Sequence, residues 1–396
     1  MSDTFCILPW IHIYVNPDGS VLPCCIADYH KHLGNTRNSS LENIWNSEKY
    51  KTLRKNMLQG KKCEECSACY KNEDIGLNSF RQSSNKKYEE FIPLADKTND
   101  DGSLDELSLR YFDVRWSNIC NFKCRSCSST YSSSWAKEDK ENGIDKSILI
   151  YAGGKDNDSL YRQFQPHFKN IKEFYFAGGE PLLTDKHYDI LEHLVEVGNT
   201  DIKLRYNTNL SVLGYKDKSV LDLWQHFPDI DVDVSIDSWK ERAEYIREGT
   251  IWNDIENNFK LIRKELPNVN LQTNTVVSVF NIFTLGDFLN YLDENNIIDK
   301  KRYYPSFYNL INPTYYSVDI IPDRLKQKII LELKRIDFSS NVNDKISSII
   351  HFLGKSKYNA DLHKQFIIKT QYYDNIRNRQ FNNYFPELDE LYENVF

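Results

Sequence analysis

The fold is decided by residues 107–127, which read LSLRYFDVRWSNICNFKCRSC. The apolar run Leu107–Trp116 reads as a strand. Just beyond it come Cys120, Cys124 and Cys127, a C-x3-C-x2-C triplet on the loop that leaves the strand. Three thiolates this close can hold three corners of an iron–sulfur cube. Such clusters are usually closed by four cysteines, and no cysteine follows Cys127. One iron would therefore stay open to another ligand, which points to chemistry rather than structure. Structural zinc asks for four tetrahedral ligands, often two C-x2-C pairs, and the triplet fits that poorly.

Downstream of the triplet, short apolar runs alternate with helical stretches. After Leu107–Trp116 the runs are Ile171–Ala177, Ile202–Tyr206, Ile230–Ile236, Val269–Val279 and Tyr303–Leu310. Helices are predicted at about 128–141, 186–197, 218–226, 251–265 and 283–294. Strands separated by helices imply βαβ units and a parallel sheet. Six strands are too few for a closed eight-stranded barrel. They suit a partial barrel or open α/β sheet, with ligands beyond the carboxyl ends of the strands. Asp113 and Arg115, two apart near the end of the first strand, can face the same side. They read equally as substrate-binding groups or as a buried ion pair.

Upstream, residues 1–100 read as a cysteine-rich module with a linker. Asn16-Pro17-Asp18-Gly19 is a turn signal between the apolar runs Ile11–Val15 and Val21–Leu22, hence a hairpin. Residues 41–58 read as one helix, and the polar stretch 76–105 as the linker. Residues 101–320 form the α/β domain. Residues 321–396 form a helical C-terminal extension, with helices at 322–336 and 342–352. That extension carries no motif and reads as a packing cap or a partner surface.

The chain of 396 residues is long enough for two or three domains. A net charge of −7 gives no general attraction to nucleic acid, so a nucleic-acid partner is not expected. No apolar run reaches the ~18 residues of a membrane span, and the N-terminus has no signal-peptide pattern. The expectation is a cytoplasmic protein without a membrane partner. All nine cysteines lie within the first 127 residues, in tight groups of odd total, which argues for metal ligation over disulfides. The nine histidines form no H-x3-H pair, and His187 and His193, on a predicted helix, are expected in ordinary surface or core roles.

The Cys120–Cys127 run resembles the cluster motif of radical S-adenosylmethionine (radical SAM) enzymes. The resemblance implies a partial (β/α)6 barrel, a 4Fe–4S cluster on the three cysteines, and SAM on the open iron. Other segments resemble that family in order. Ala177-Gly178-Gly179-Glu180-Pro181 resembles its GGE motif, where bare backbone meets the methionyl amine, and glycine permits that approach. Tyr206-Asn207-Thr208-Asn209 resembles its Thr-Asn segment. Val232–Asp237 is similar to the Ser-Ile-Asp strand of the peptide-modifying branch. Tyr245–Gly249 resembles the segment whose arginine pairs with the SAM carboxylate. By resemblance the cofactor-binding residues are Gly178, Gly179, Glu180, Asn207, Ser235, Asp237 and Arg247. Local turn or strand-end hydrogen bonding is an equal reading for Asn207 and Asp237. Thr273–Val279 would offer apolar contact to adenine. Ser126 departs from the family, which often has an aromatic residue there.

Cys6, Gly19 and Cys24 make a C-x12-G-x4-C pattern that is similar to the opening of the SPASM/twitch extension. That resemblance implies one auxiliary 4Fe–4S cluster on Cys6, Cys24, Cys66 and Cys69, with Cys63 or Cys25 as possible substitutes. A zinc site is the competing reading. In the family this module normally follows the barrel, and here it precedes it. The expected function is reductive cleavage of SAM and hydrogen abstraction from a peptide or protein, served by an electron donor such as flavodoxin or ferredoxin. The alternatives are a dehydrogenase or epimerase of a small molecule, and a non-catalytic iron–sulfur or zinc interaction protein.

Overall fold

In a computed structural model, described over residues 2–74, 76, 78–144, 150–154, 156–298 and 305–393, the chain forms two compact units. The first comprises Met1–Cys120, Ser129–Tyr206 and Gly214–Ile230. The second comprises Asn121–Ser128, Asn207–Leu213 and Asp231–Phe396.

In the first unit the strands are β1 (His12–Val15), β2 (Ser20–Leu22), β3 (Gly34–Asn35), β4 (Tyr111–Val114), β5 (Glu173–Phe176) and β6 (Lys203–Thr208, through Tyr206). They lie in the order β6-β5-β4-β1-β2-β3. β4, β5 and β6 pair in parallel, as the alternation of strands and helices requires. The expected hairpin forms from β1 and β2, with Gly19 at φ +82° in its turn. β1 also pairs in parallel with β4, matching His12 to Tyr111 and Val15 to Val114. Both strands are buried along their whole length, as suits a parallel pair covered on two faces. The N-terminal cysteine segment is therefore part of the sheet.

Two local expectations differ from the structure. The helix predicted over 41–58 is two helices, Leu41–Trp45 and α1 (Glu48–Leu58). Ser40 and Ser47 each cap the following piece, and a capping serine breaks the run more cheaply than it continues it. The polar stretch 76–105 is not a bare linker. It carries α3 (Phe80–Lys87), opened by a Ser79–Gln82 capping box, behind α2 (Ser67–Asp74). Further helices of this unit are α4 (Ser133–Glu141), α5 (Asn157–Phe164) and α6 (Asp185–Glu196). Phe112 of β4 meets Phe164, Phe168 and Phe174 at ring distances of 4.8, 5.7 and 5.1 Å. His187 belongs to the same core. Its Nε2 lies 3.0 Å from the Tyr206 hydroxyl, and burial holds its pKa down at about 3.

The second unit holds β7 (Asp229–Ser235, from Asp231), β8 (Asn270–Val277) and β9 (Ser306–Asn309), in the order β7-β8-β9 and parallel. Tyr303 and Tyr304, expected to start the last strand, lie outside the described residues. α7 (Lys240–Ile246), α8 (Trp252–Glu265) and α9 (Leu285–Glu294) lie between or beside these strands in sequence. α10 (Asp323–Leu333), α11 (Ser340–Lys355) and α12 (Ala360–Arg377) follow. Phe280 anchors this core against Tyr316 at 4.8 Å and Phe385 at 5.6 Å. Among the described residues no helix is long and apolar enough to cross a membrane.

Candidate functional site

In the first unit, Cys120 sits at the end of a closely tied segment. The Asn118 side chain donates to Ser129 O at 3.1 Å and accepts from Tyr151 N at 2.8 Å. Cys120 N donates to Ser133 Oγ at 3.2 Å, and Ser134 Oγ donates to Cys120 O at 2.7 Å. The Gly178-Gly179 turn after β5 presses against this segment. A Cβ at Gly179 would lie 2.2 Å from Ile119 O, and one at Gly178 would lie 2.8 Å from Arg115 Cβ. Both glycines have positive φ. Glu180 N donates to Ile119 O at 2.7 Å, and its buried carboxylate accepts from Leu182 N at 3.1 Å. Bare backbone thus stands one residue from the first cysteine of the triplet.

In the second unit, Cys124 pairs with Arg247 in a two-residue antiparallel ladder. The Arg247 guanidinium binds Asp237 through Nε at 2.8 Å and Nη2 at 3.1 Å, and its Nη1 lies 3.7 Å from Cys124 Sγ. Burial works against that charge, but the Asp237 carboxylate and the Cys124 sulfur hold it above the usual arginine range. Asp237 also accepts from Val276 N at 2.8 Å. Gly249, at φ +105°, lets the chain pass Asn121 O, which a Cβ would meet at 2.6 Å. Asn209 Nδ2 donates to Asn121 Oδ1 at 2.9 Å. Cys127 N closes a turn onto Cys124 O at 3.0 Å. Asn207 and Ser235 stand at the ends of β6 and β7, each half-buried. Burial pushes the Cys127 thiol up to about 12 and raises Cys124 as well. Such thiols ionise once iron supplies the counter-charge. Cys124 and Cys127 are soft donors with a guanidinium beside one of them, a chemistry that suits iron–sulfur ligation.

The N-terminal cysteines sort themselves. Cys6, Cys24, Cys66 and Cys69 line one pocket, with Met57, Phe80 and Arg81. Burial pushes Cys6 up to about 12 and lifts Cys24 and Cys66 further. Arg81 is held by Glu73 through Nη2 at 2.7 Å and Nε at 3.0 Å, and its Nη1 donates to Phe5 O at 2.6 Å. Cys63 and Cys25 do not line the pocket. Cys63 Sγ faces Leu53 O and Lys61 O at 3.8 and 3.7 Å. Among the described residues no three His, Cys, Asp or Glu side chains converge as they would on a single metal ion. A cube asks less convergence, since each sulfur meets its own iron.

Register builds one feature that the sequence hides. Tyr14 pairs with Asp113, Asp113 with Tyr175, and Tyr175 with Arg205, a row across β1, β4, β5 and β6. Arg115 lies over the Tyr14 and Tyr175 rings at 5.4 and 4.8 Å, and Arg205 over Tyr175 at 5.0 Å. Asp113 is fully buried. Arg115 Nη2 lies 2.9 Å from its Oδ1, near enough to pair charges but out of line for a hydrogen bond, so neither carboxylate oxygen accepts one. Burial raises Asp113 to about 6, although Arg115 and Arg205 pull it down. Cys25 is exposed at the surface, and its thiol is pushed up to about 12 by desolvation and by Asp113, against the pull of Arg115 and Arg205. Sequence reasoning found Asp113 and Arg115 but not Tyr14, Tyr175 or Arg205. It also missed Arg125 and Asp374, described below.

Two families match the chain. One, an iron–sulfur cluster-binding domain named SPASM, matches residues 6–70, and the radical SAM superfamily matches residues 114–294. No curated protein matches it. Among solved structures it is similar to anSMEcpe with bound AdoMet and Cp18Cys peptide, at 19% identity and a TM-score of 0.38, over 56% of this chain and 57% of that one. It is also similar to TYW1 with a lysine–pyruvate adduct bound, at 12% identity and a TM-score of 0.32, over 55% of this chain and 69% of that one. The chain thus spans little more than half the length of the first structures it matches.

Proposed function

The chain belongs to the radical SAM superfamily, with an iron–sulfur cluster-binding domain ahead of the radical SAM domain, and on that premise we propose that this enzyme abstracts hydrogen from a peptide or protein. When bound, the cluster and SAM supply one-electron cleavage of a carbon–sulfur bond, and with it a carbon radical able to take a hydrogen atom. Cys120, Cys124 and Cys127 would hold the cluster, and the Gly178–Glu180 backbone would receive the methionyl amine. Arg247, oriented by Asp237, would bind the SAM carboxylate, with Ser235 and Asn207 as further polar contacts. Cys6, Cys24, Cys66 and Cys69 would hold one auxiliary 4Fe–4S cluster and supply electron relay. An electron donor of flavodoxin or ferredoxin type serves both.

The observation that carries this reading is the Gly179 turn, packed against Ile119 more closely than any side chain would allow. For the substrate, the Val232–Asp237 segment, similar to the Ser-Ile-Asp strand of the peptide-modifying branch, supports a peptide or protein. Calorimetry with SAM on the anaerobically reconstituted protein tests the assignment. SAM should bind, and Gly179→Ala should weaken it at least tenfold with iron content unchanged, because the added Cβ forces the turn off Ile119. A fully loaded chain that takes up no SAM would be an interaction protein and not this enzyme.

A further inference from the structure

Residues 321–396 carry no motif, yet one of their side chains reaches the triplet loop. Arg125 lies between Cys124 and Cys127 and is 2% exposed, a charged residue taken out of water. Its Nη2 pairs with Asp374 Oδ1 on α12 at 2.5 Å. Asp374 is a hub. The same Oδ1 accepts from the Tyr245 hydroxyl at 2.7 Å, and Oδ2 accepts from Phe381 N at 2.7 Å. Arg125 lies over the Tyr245 ring at 3.9 Å, and its Nε donates to Tyr245 O at 3.3 Å. Its backbone N donates to Ile246 O at 2.8 Å, directly before the Arg247 that touches Cys124 Sγ. Two nearby guanidiniums have carboxylates of their own: Arg247 with Asp237, and Arg379 with Glu248 at 3.4 Å. Arg377, near the end of α12, acts on Cys124 as a cation.

An iron–sulfur cluster gains a negative charge on reduction, and buried charges around it set its potential. A cation left alone in a low-dielectric interior favours the reduced form; an anion left alone opposes it. Arg125 cannot shed its charge, so only a buried carboxylate balances it. We propose that Asp374 of the C-terminal extension is a positioning residue that sets the reduction potential of the Cys120–Cys127 cluster by neutralising Arg125. The extension is then part of the redox machinery rather than a packing cap. This rests on the reading that the triplet holds a cluster.

The test is a potentiometric titration of the reconstituted full chain, followed by electron paramagnetic resonance. The signal that changes on adding SAM identifies the triplet's cluster. Asp374→Asn should shift its potential upward, Arg125→Gln should shift it downward, and the double variant should return near the wild-type value. Asp374→Glu and Tyr245→Phe keep the charge balance and should stay near wild type. Shifts of the same sign in the two single variants, no shift in either, or a Tyr245→Phe shift as large as that of Asp374→Asn would overturn the proposal. If Asp374→Asn does not hold the cluster, Arg125→Gln decides alone: a downward shift supports the proposal and any other result overturns it. A wild-type chain whose signal ignores SAM would instead refute the underlying assignment.

Discussion

Burying Asp113 beside two guanidiniums gives the first unit a titration that reaches into the mildly acidic range. The group ordinarily titrates near 3.8, and in the folded chain at about 6. The folded state therefore binds the proton more tightly than the unfolded one, and stability falls as pH rises through about 4 to 6. Between pH 5 and 7.5 the group should cost the cluster-free protein about 1.4 kcal/mol of unfolding free energy. Urea midpoints of wild type and Asp113→Asn at those two pH values measure this. The wild type should lose stability across the interval by that amount relative to the variant, and parallel midpoints would show that Asp113 titrates normally. The two kinds of residue at this scale differ in legibility. Cys120, Gly178 and Gly179 announce themselves because their spacing along the chain is the signal. Tyr14, Tyr175 and Arg205 meet Asp113 only through strand register, which pairs residues 14, 113, 175 and 205 with no local trace.

At the scale of elements, the strands that alternate buried and half-buried positions, β6, β7 and β8, were legible as such. α12 was not. Its buried face mixes Phe366 and Ile367 with His363, Thr370, Asp374 and Arg377, so apolar periodicity does not mark it. The polar 76–105 stretch misled for the same reason. α3 is held by a capping box and by the Arg81–Glu73 pair that bridges it to α2, rather than by an apolar stripe. That pair is mostly buried, at 8% and 17% side-chain exposure, so breaking it costs less than a fully buried pair, about 2 kcal/mol. Arg81 also lines the four-cysteine pocket. Arg81→Met should therefore lower reconstituted iron from about eight to about four per chain, one cube of four being lost. An iron assay checks it; a value that stays near eight would separate this pair from the auxiliary site.

For the whole molecule, the parallel α/β class was readable because βαβ units impose parallel strands and place the loops that carry Cys120 and the Gly178-Gly179 turn at strand ends. The division into compact units was not readable. It cuts within the triplet itself, giving Cys120 to the first unit and Cys124 and Cys127 to the second. Nor did the sequence show that the module ahead of the barrel contributes a parallel strand to the sheet. The central claim is that the three cysteines equip this chain to cleave SAM. The measurement that tests it most directly is formation of 5′-deoxyadenosine from SAM by anaerobically reconstituted protein with dithionite. Wild type should form it, and the Cys120→Ala, Cys124→Ala, Cys127→Ala triple variant should form none. Undiminished product from the triple variant, or none from a wild-type chain carrying both clusters, would contradict the account.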